Sequence, residues 1–178
     1  MTDTEDEWAE AVQAHREEKE RVFESPAETP LSEAARSQFD GLEFFPIDPA
    51  YRLTGRLEQF DEPREVELEA TRGPPMSFAH VGQLGVEIEG DLTVLEVYQA
   101  TGVDTLLLPF RDRTNGQETW ANGRYVNLPA PEETGRVEVP VDFNLAYHPL
   151  CVYDQAVRSA KPPAENNFEV PIRAGERR

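Results

Sequence analysis

The chain has 178 residues, enough for one hydrophobic core that needs no disulfide or metal to hold it together. Its 35 acidic and 17 basic residues give a formal net charge of −18, which repels nucleic acid phosphates and anionic membranes. The sequence therefore predicts no nucleic acid partner and no membrane partner. An acidic start without a signal segment, and the lack of a long apolar run, predict a cytoplasmic protein.

The basic residues are almost all arginine, since Lys19 and Lys161 are the only lysines. Simple solubility and disorder are alternative explanations of such acidity, but 38% hydrophobic residues in regular patterns argue against disorder. At molar salt the Debye length is about 3 Å, so dense surface carboxylates stop repelling one another and hold water. The composition favours a halophilic protein.

The first 40 residues are predicted to be helical. Residues 3–24 form an amphipathic pattern with acids on one face, and a second short helix is expected over Leu31–Phe39. The predicted stripe for packing consists of Trp8, Ala11, Val12, His15, Val22 and Phe23. The structural interpretation is packing against the body, and the alternative is a helix that docks on a partner.

From residue 51 onward the hydrophobic period changes to the alternation of β-strands. Alternating runs are centred on residues 66–70, 86–88, 92–94, 106–110, 137–143 and 168–172. The predicted fold is mainly β, an antiparallel barrel or sandwich with one or two N-terminal α-helices. We expect a single domain over 1–178, in which the helical segment 1–40 packs on or flanks a β-rich body, 41–178.

Two charged residues are predicted to face inward from neighbouring strands. Asp112 shares a strand side with Phe110, and Arg124 shares one with Val126. Asn-Gly turns at 115–116 and 122–123 are typical of tight hairpins that bring such strands together. An Asp112–Arg124 ion pair is therefore expected. It either holds a hairpin or presents a guanidinium to an anionic ligand, and the spacing does not decide between these interpretations.

A second polar cluster occupies VDFNLAYHPLCVYDQ, residues 141–155. His148 and Cys151 have ligand-like spacing, but two ligands without a second pair do not predict a metal, and no cofactor is expected. A Cys151 nucleophile assisted by His148 is the chemical alternative. The favoured interpretation is a buried, unreactive thiol.

Four ordered motifs, EFFPIDPAYR, FRDRTNGQETWANGRYVNL, DFNLAYHPLC and PPAENNFEVPIRAGE, resemble those of the family called domain of unknown function 1684. The resemblance runs from about Phe39 to Glu176. His148 stands where the family usually has asparagine, and Ser159 where it often has a second cysteine. The matching positions are Asp112, Thr114, Gly116, Gly123, Arg124, Tyr125, Asp142, Phe143, Asn144, Tyr147, Cys151, Asn166, Ala174, Gly175 and Glu176. The family has no established activity, so the resemblance implies where a site lies and not its chemistry.

The favoured hypothesis is a pocket in the β-rich domain that binds a small polar or anionic molecule. One alternative is a hydrolase-type enzyme with Asp112 or Asp142 as general base near Arg124. Another is an interaction module whose motif residues are structural, so enzymatic activity and the oligomeric partner stay open. The two clusters are expected to converge on one pocket. The predicted ligand-binding residues are Asp112, Arg124, Tyr125, Asp142, Asn144, Tyr147 and Asn166.

Overall fold

The computed structural model of the protein describes residues 2–178. In this part of the chain two helices precede and flank a set of mostly consecutive strands. The helices are α1 (Thr2–Glu24) and α2 (Glu33–Gln38). The strands are β1 (Glu43–Phe44), β2 (Arg52–Leu68), β3 (Met76–Ile88), β4 (Asp91–Gln99), β5 (Leu106–Phe110), β6 (Arg124–Leu128), β7 (Arg136–Asp142) and β8 (Glu176–Arg177).

The long strands form one antiparallel sheet in the order β6-β5-β4-β3-β2-β7, which curls into a half-barrel. The two short strands β1 and β8 pair with each other beside it. The predicted fold class, mainly β with N-terminal helices, is confirmed, and the barrel is the closer of the two predicted architectures.

The core lies on the concave side of the half-barrel. Alternate residues of each strand face it, as the sequence pattern predicts: examples are Val86 and Ile88 of β3, and Leu106 and Leu108 of β5. Each such apolar side chain contributes about 1.5–3 kcal/mol on burial. A register shift in β3 between His80 and Gly82 turns the preceding residues to the other side. A smaller cluster there contains Leu68, Phe78, Tyr98 and Ala160.

Helix α1 packs along the body through a stripe that differs in part from the predicted one. Val12 and Phe23 are buried as expected, whereas Ala11 and His15 are exposed. Arg16 is buried in the stripe and donates to the carbonyl oxygens of Phe45 and Asn144, at 2.9 and 3.2 Å. A long cationic side chain can lie in an apolar stripe when its guanidinium reaches carbonyl acceptors.

Two predicted elements are wrong. Residues 111–123 form one irregular loop between the paired strands β5 and β6, not two tight hairpins. Residues 168–172 are not a strand among the described residues. Their alternation arises because Phe168 and Ile172 fill the core while main-chain groups bond to the 111–113 segment of that loop.

Candidate functional site

Arg124 begins β6, and its side chain has no exposed surface. Nη1 donates to the carbonyl oxygens of Ala174 and Glu176, at 2.5 and 2.9 Å. Nη2 donates to the carbonyl oxygen of Ile172 at 2.7 Å and to Oδ2 of Asp112 at 3.2 Å. One guanidinium thus ties three carbonyls of the C-terminal segment to the sheet, and we call this group the Arg124 anchor.

The carboxylate of Asp112 is saturated by its neighbours. Oδ2 accepts from Arg124 and from the main-chain N–H of Ile172, the latter at 2.8 Å. Oδ1 accepts from the hydroxyl and the main-chain N–H of Thr114, at 2.6 and 3.2 Å. The predicted Asp112–Arg124 ion pair is present. With both oxygens used, the carboxylate is not available as a general base.

The ion pair is buried on both sides. Burial lowers the pKa of Arg124, and the Asp112 carboxylate opposes this shift. The guanidinium also lies 5.2 Å from the ring centre of Phe110, within range of a cation–π contact. Loss of either charge would strand the other in the core.

A second buried charge lies close to the anchor. Glu176 forms an ion pair with Lys19 through Oε1. Its Oε2 accepts from the main-chain N–H of His148 and from the hydroxyl of Tyr153, both at 2.8 Å. Nε2 of His148 accepts a hydrogen bond from the main-chain N–H of Trp120 at 3.1 Å. His148 is therefore the neutral tautomer with its proton on Nδ1. We call this group the Glu176 cluster.

The environment fixes the protonation states of the Glu176 cluster. Burial raises the pKa of Glu176, but hydrogen bonds from His148 and Lys19 outweigh it and lower the pKa to about 2. Burial lowers the pKa of His148 against the opposing pull of Glu176. At neutral pH the carboxylate is therefore ionised and the imidazole neutral.

A cleft of about 570 Å³ opens on the surface next to the Glu176 cluster. It is bounded by α2 and the residues that follow it, by residues 152–156, and by Arg177 and Arg178; we call it the C-terminal cleft. Tyr153 is one of its lining residues and packs edge-on against Phe39, with ring centres 6.1 Å apart. The Tyr153 hydroxyl donates to the buried Glu176 carboxylate, so the Glu176 cluster fixes this side of the cleft.

Arg177 reaches the cleft from β8, which pairs with β1 in a register that sets Arg177 opposite Glu43. Its guanidinium lies 5.3 Å from the ring centre of Phe45. Within residues 2–178, neither Arg177 nor Arg178 has a carboxylate within ion-pair distance. The cleft also contains exposed acids at Asp40 and Glu43, so charges of both signs surround it.

The model of a family described as a protein of unknown function, DUF1684, matches residues 37–177. The chain belongs to this family. An uncharacterised protein from Haloarcula marismortui, solved by NMR in solution, is 34% identical and has a TM-score of 0.76. That comparison covers 100% of this chain and 98% of the other. Comparison with curated proteins gave no match.

The DUF1684 match includes Asn166, which acts as a main-chain clamp. Its Oδ1 accepts from the N–H of Glu96 at 2.7 Å, and its Nδ2 donates to the carbonyl oxygens of Glu96 and Pro109, both at 2.8 Å. The side chain thereby bridges β4 and β5, which pair directly at Tyr98 and Leu107. Asn166 is fully buried, so its amide serves the sheet.

Asp142 and Asn144 serve the N-terminal part of the fold. Oδ2 of Asp142 accepts from the indole N–H of Trp8 at 2.7 Å, which docks α1. Asn144 exchanges two hydrogen bonds with the main chain of Asp48, both at 2.9 Å. Both side chains hold distant segments of the chain together.

The two tyrosines lie side by side on the outer face of the half-barrel. Tyr125 and Tyr147 pair through their main chains, and their ring centres are 5.8 Å apart. The Tyr125 hydroxyl donates to the carbonyl oxygen of Ala160, and that of Tyr147 donates to Oδ1 of Asn127 at 2.7 Å. Burial raises the pKa of Tyr147 to about 12, so the hydroxyl stays protonated.

The two motif clusters lie side by side, since Tyr125 of the first pairs with Tyr147 of the second, and a ligand pocket shared by them stays a prediction. Arg124 bonds within the Arg124 anchor and not to Asn144, Tyr147 or Asn166. None of the seven predicted ligand-binding side chains lines the C-terminal cleft or two further concave regions among the described residues. The guanidinium of Arg124 is not free for a ligand, because it donates to main-chain carbonyl oxygens of the C-terminal segment. Such acceptors cannot be recognised from side-chain types.

Sequence reasoning underestimated Glu176 and did not link it to Lys19 or Tyr153. Glu176 lies in the last motif shared with the family, and that is the signal that singles it out. Cys151 is a free thiol and half-buried, so it is less enclosed than predicted. Among the described residues, no three potential ligands from His, Cys, Asp and Glu converge on a metal position, and no helix is long and apolar enough to cross a membrane.

Proposed function

We propose that the protein binds a small polar molecule with a carboxylate or phosphate group in the C-terminal cleft. The observation that carries this proposal is the convergence of Arg177 and Arg178, both without an acidic partner in residues 2–178, on one cleft of about 570 Å³. Ligand pockets of proteins commonly have volumes of about 300–1,000 Å³. A guanidinium is suited to both anions because its fork of N–H donors matches their oxygens.

The cleft carries charges of both signs, which suits a ligand with an anionic group and an amine. Over the whole chain acids outnumber bases, 35 to 17. At the cleft, two arginines face three acids: Asp40, Glu43 and Asp154. Asp154 already accepts from the main-chain N–H groups of Ser32 and Ala156, which leaves Asp40 and Glu43 as the acids open to a ligand. An anionic group would bind the arginines, and an amine on the same ligand would bind the acids.

The shared motif residues act on this cleft from a distance. The Arg124 anchor holds the carbonyl of Glu176, and the next residue is Arg177. The Glu176 carboxylate holds the Tyr153 hydroxyl at the cleft wall. Arg124 is accordingly a positioning residue in this proposal and not a ligand-binding one.

Replacing Arg177 with alanine is expected to weaken binding of an anion by roughly tenfold to a hundredfold, because one charge-assisted contact is lost. Calorimetric titrations with pyrophosphate, citrate and adenosine monophosphate would measure this. Arg173→Ala is the matched control, since Arg173 lies in the same segment but is bound to Glu118 outside the cleft, at 2.9 Å. Equal binding by the Arg177→Ala variant and the unaltered protein would refute the assignment.

Neither alternative function gains a comparable observation. The hydrolase hypothesis needs an accessible Asp112 or Asp142, and Asp112 is saturated by Arg124, Ile172 and Thr114. The interaction hypothesis needs a free helix α1, and α1 is docked on the body through Arg16.

We further propose that the protein works in a salt-rich cytoplasm. The net charge of −18 makes intramolecular repulsion strong at low ionic strength and weak when the Debye length is about 3 Å. Dilution from molar to 0.1 M KCl is therefore expected to lower the melting temperature by roughly 10 °C or more. Scanning calorimetry across a KCl series measures this, and a melting temperature independent of salt would exclude halophilic adaptation.

A further inference from the structure

A second cleft, of about 950 Å³, lies where β2 and β3 both depart from regular pairing. It shares no lining residue with the C-terminal cleft. Residues 60–63 of β2 stand opposite the single residue Val81 of β3. Gly82 permits this close approach, because a Cβ atom there would meet the carbonyl oxygen of Glu58 at 2.4 Å. Bulges often re-aim side chains beside binding sites, and we call this concave region the bulge cleft.

His80 lines the bulge cleft and is fixed in one orientation. Its Nε2 donates to Oε2 of Glu96 at 2.6 Å, since an ionised carboxylate only accepts, and Oε1 of Glu96 accepts from Gln83 at 2.9 Å. The imidazole stacks on Tyr98 and packs edge-on with Phe60, with ring centres 5.1 and 4.8 Å apart. In the neutral ring Nδ1 is then a hydrogen-bond acceptor. Within residues 2–178 Nδ1 has no hydrogen-bond partner, and it is accessible to solvent.

A residue of the DUF1684 match supports this arrangement. Asn166 binds the main-chain N–H and C=O of Glu96, at 2.7 and 2.8 Å. The clamp fixes the part of β4 from which the Glu96 carboxylate reaches His80. Asn166 does not line the bulge cleft, so it is a positioning residue for His80.

Charges of both signs line the bulge cleft. Asp61 and Glu62 are exposed, and within residues 2–178 neither lies in ion-pair distance of a basic group. Arg64 is likewise unpaired in this part of the chain and lies directly opposite His80 in the sheet, so the two side chains are neighbours. The acids and bases of the lining nearly balance, so charge favours neither a cation nor an anion.

A ligand rich in hydroxyl groups fits this lining. Each hydroxyl both donates and accepts, so one molecule can bind carboxylates, a guanidinium and Nδ1 of His80 together. The half-buried ring of Phe60 offers an apolar surface on which the C–H groups of a sugar ring can pack. These contacts do not depend on net charge, so they persist at the short Debye length of molar salt.

We propose that the bulge cleft binds a neutral mono- or disaccharide, independently of the anion proposed for the C-terminal cleft. Nδ1 of His80 accepts from one sugar hydroxyl, and Arg64, Asp61 and Glu62 bind others. Phe60 packs against the C–H face of the sugar ring. The volume of the bulge cleft lies within the range of about 300–1,000 Å³ that is common for ligand pockets.

NMR titrations with glucose, galactose, maltose and trehalose in molar KCl test the ligand class. At least one sugar is expected to shift the main-chain amides of residues 58–64 and 80–83 and to saturate below roughly 100 mM. Pyrophosphate and spermidine serve as the anionic and cationic probes. No saturable shift with any of the four sugars, or shifts in the bulge cleft with a charged probe alone, would overturn the proposal.

Two variants test the contacts. His80→Phe keeps an aromatic ring but removes Nδ1, and it is expected to weaken sugar binding roughly fivefold to tenfold. Because His80→Phe also unpairs Glu96, Phe60→Ala provides an independent test that leaves the His80–Glu96 pair in place, with a loss of similar size expected. His15→Phe is the matched control, since His15 is exposed on α1 outside the bulge cleft. Undiminished sugar affinity in either folded cleft variant would exclude this site.

Discussion

Replacing Arg124 with alanine is expected to lower the free energy of unfolding by about 3–5 kcal/mol, because it strands the buried Asp112 carboxylate. It also leaves the carbonyl oxygens of Ile172, Ala174 and Glu176 without their donor. Denaturant unfolding in molar KCl, followed by circular dichroism, measures the change. A loss of this size would make Arg124 one of the largest single contributors to stability.

The matched control is Arg113→Ala. Arg113 lies in the loop that precedes β6, but its ion pair with Glu169 is exposed, with side-chain exposures of 63% and 72%. Exposed pairs contribute about 0–1 kcal/mol, so this substitution should change little. Arg124→Lys should still be destabilising, since one ammonium cannot reproduce the geometry of a fork that serves four acceptors. If Arg124→Ala costs no more than Arg113→Ala, the Arg124 anchor is not structural.

Replacing Glu176 with glutamine is expected to lower stability at neutral pH by about 3 kcal/mol and to flatten its dependence on acid pH. The folded-state pKa of Glu176 is about 2, below its usual value of 4.5. Between these values the unfolded state binds more protons, so the stabilisation is present at neutral pH and is lost as pH falls from 5 toward 2. The substituted glutamine side chain has no charge to lose in that range.

Unfolding free energies measured at a series of pH values between 2 and 7 in molar KCl would test this. The control is Glu169→Gln, which removes one carboxylate of an exposed ion pair and should change stability at neutral pH by no more than about 1 kcal/mol. Parallel pH profiles for the Glu176→Gln variant and the unaltered protein would contradict the role given to the Glu176 cluster.

Local patterns were sufficient to predict several of the long strands and one long-range pair. The alternation of apolar residues located β3, β5 and β7, and strand parity placed Asp112 and Arg124 on the same side. These features depend on the two-residue period of β-strands, which can be recognised from residues that are close in the sequence.

The rest depends on contacts between distant main-chain and side-chain groups. The carbonyl oxygens that bind Arg124 lie 48–52 residues away, and every residue type has a carbonyl. The register shift at His80 likewise has no local signature, although it moves Phe78 into a second cluster. The partners of the motif residues and the C-terminal cleft were therefore not predictable from the sequence.

The most direct test of the central claim is an NMR titration of the protein with pyrophosphate in molar KCl, with both main-chain amides and arginine Nε–H groups observed. If the motif residues are structural and the ligand binds in the C-terminal cleft, shifts should concentrate at residues 38–43, 152–156 and Arg177. The Arg124 Nε–H and the Asn166 side-chain amide should stay unchanged. Shifts centred on Arg124 and Asn166, with none at Arg177, would contradict the account.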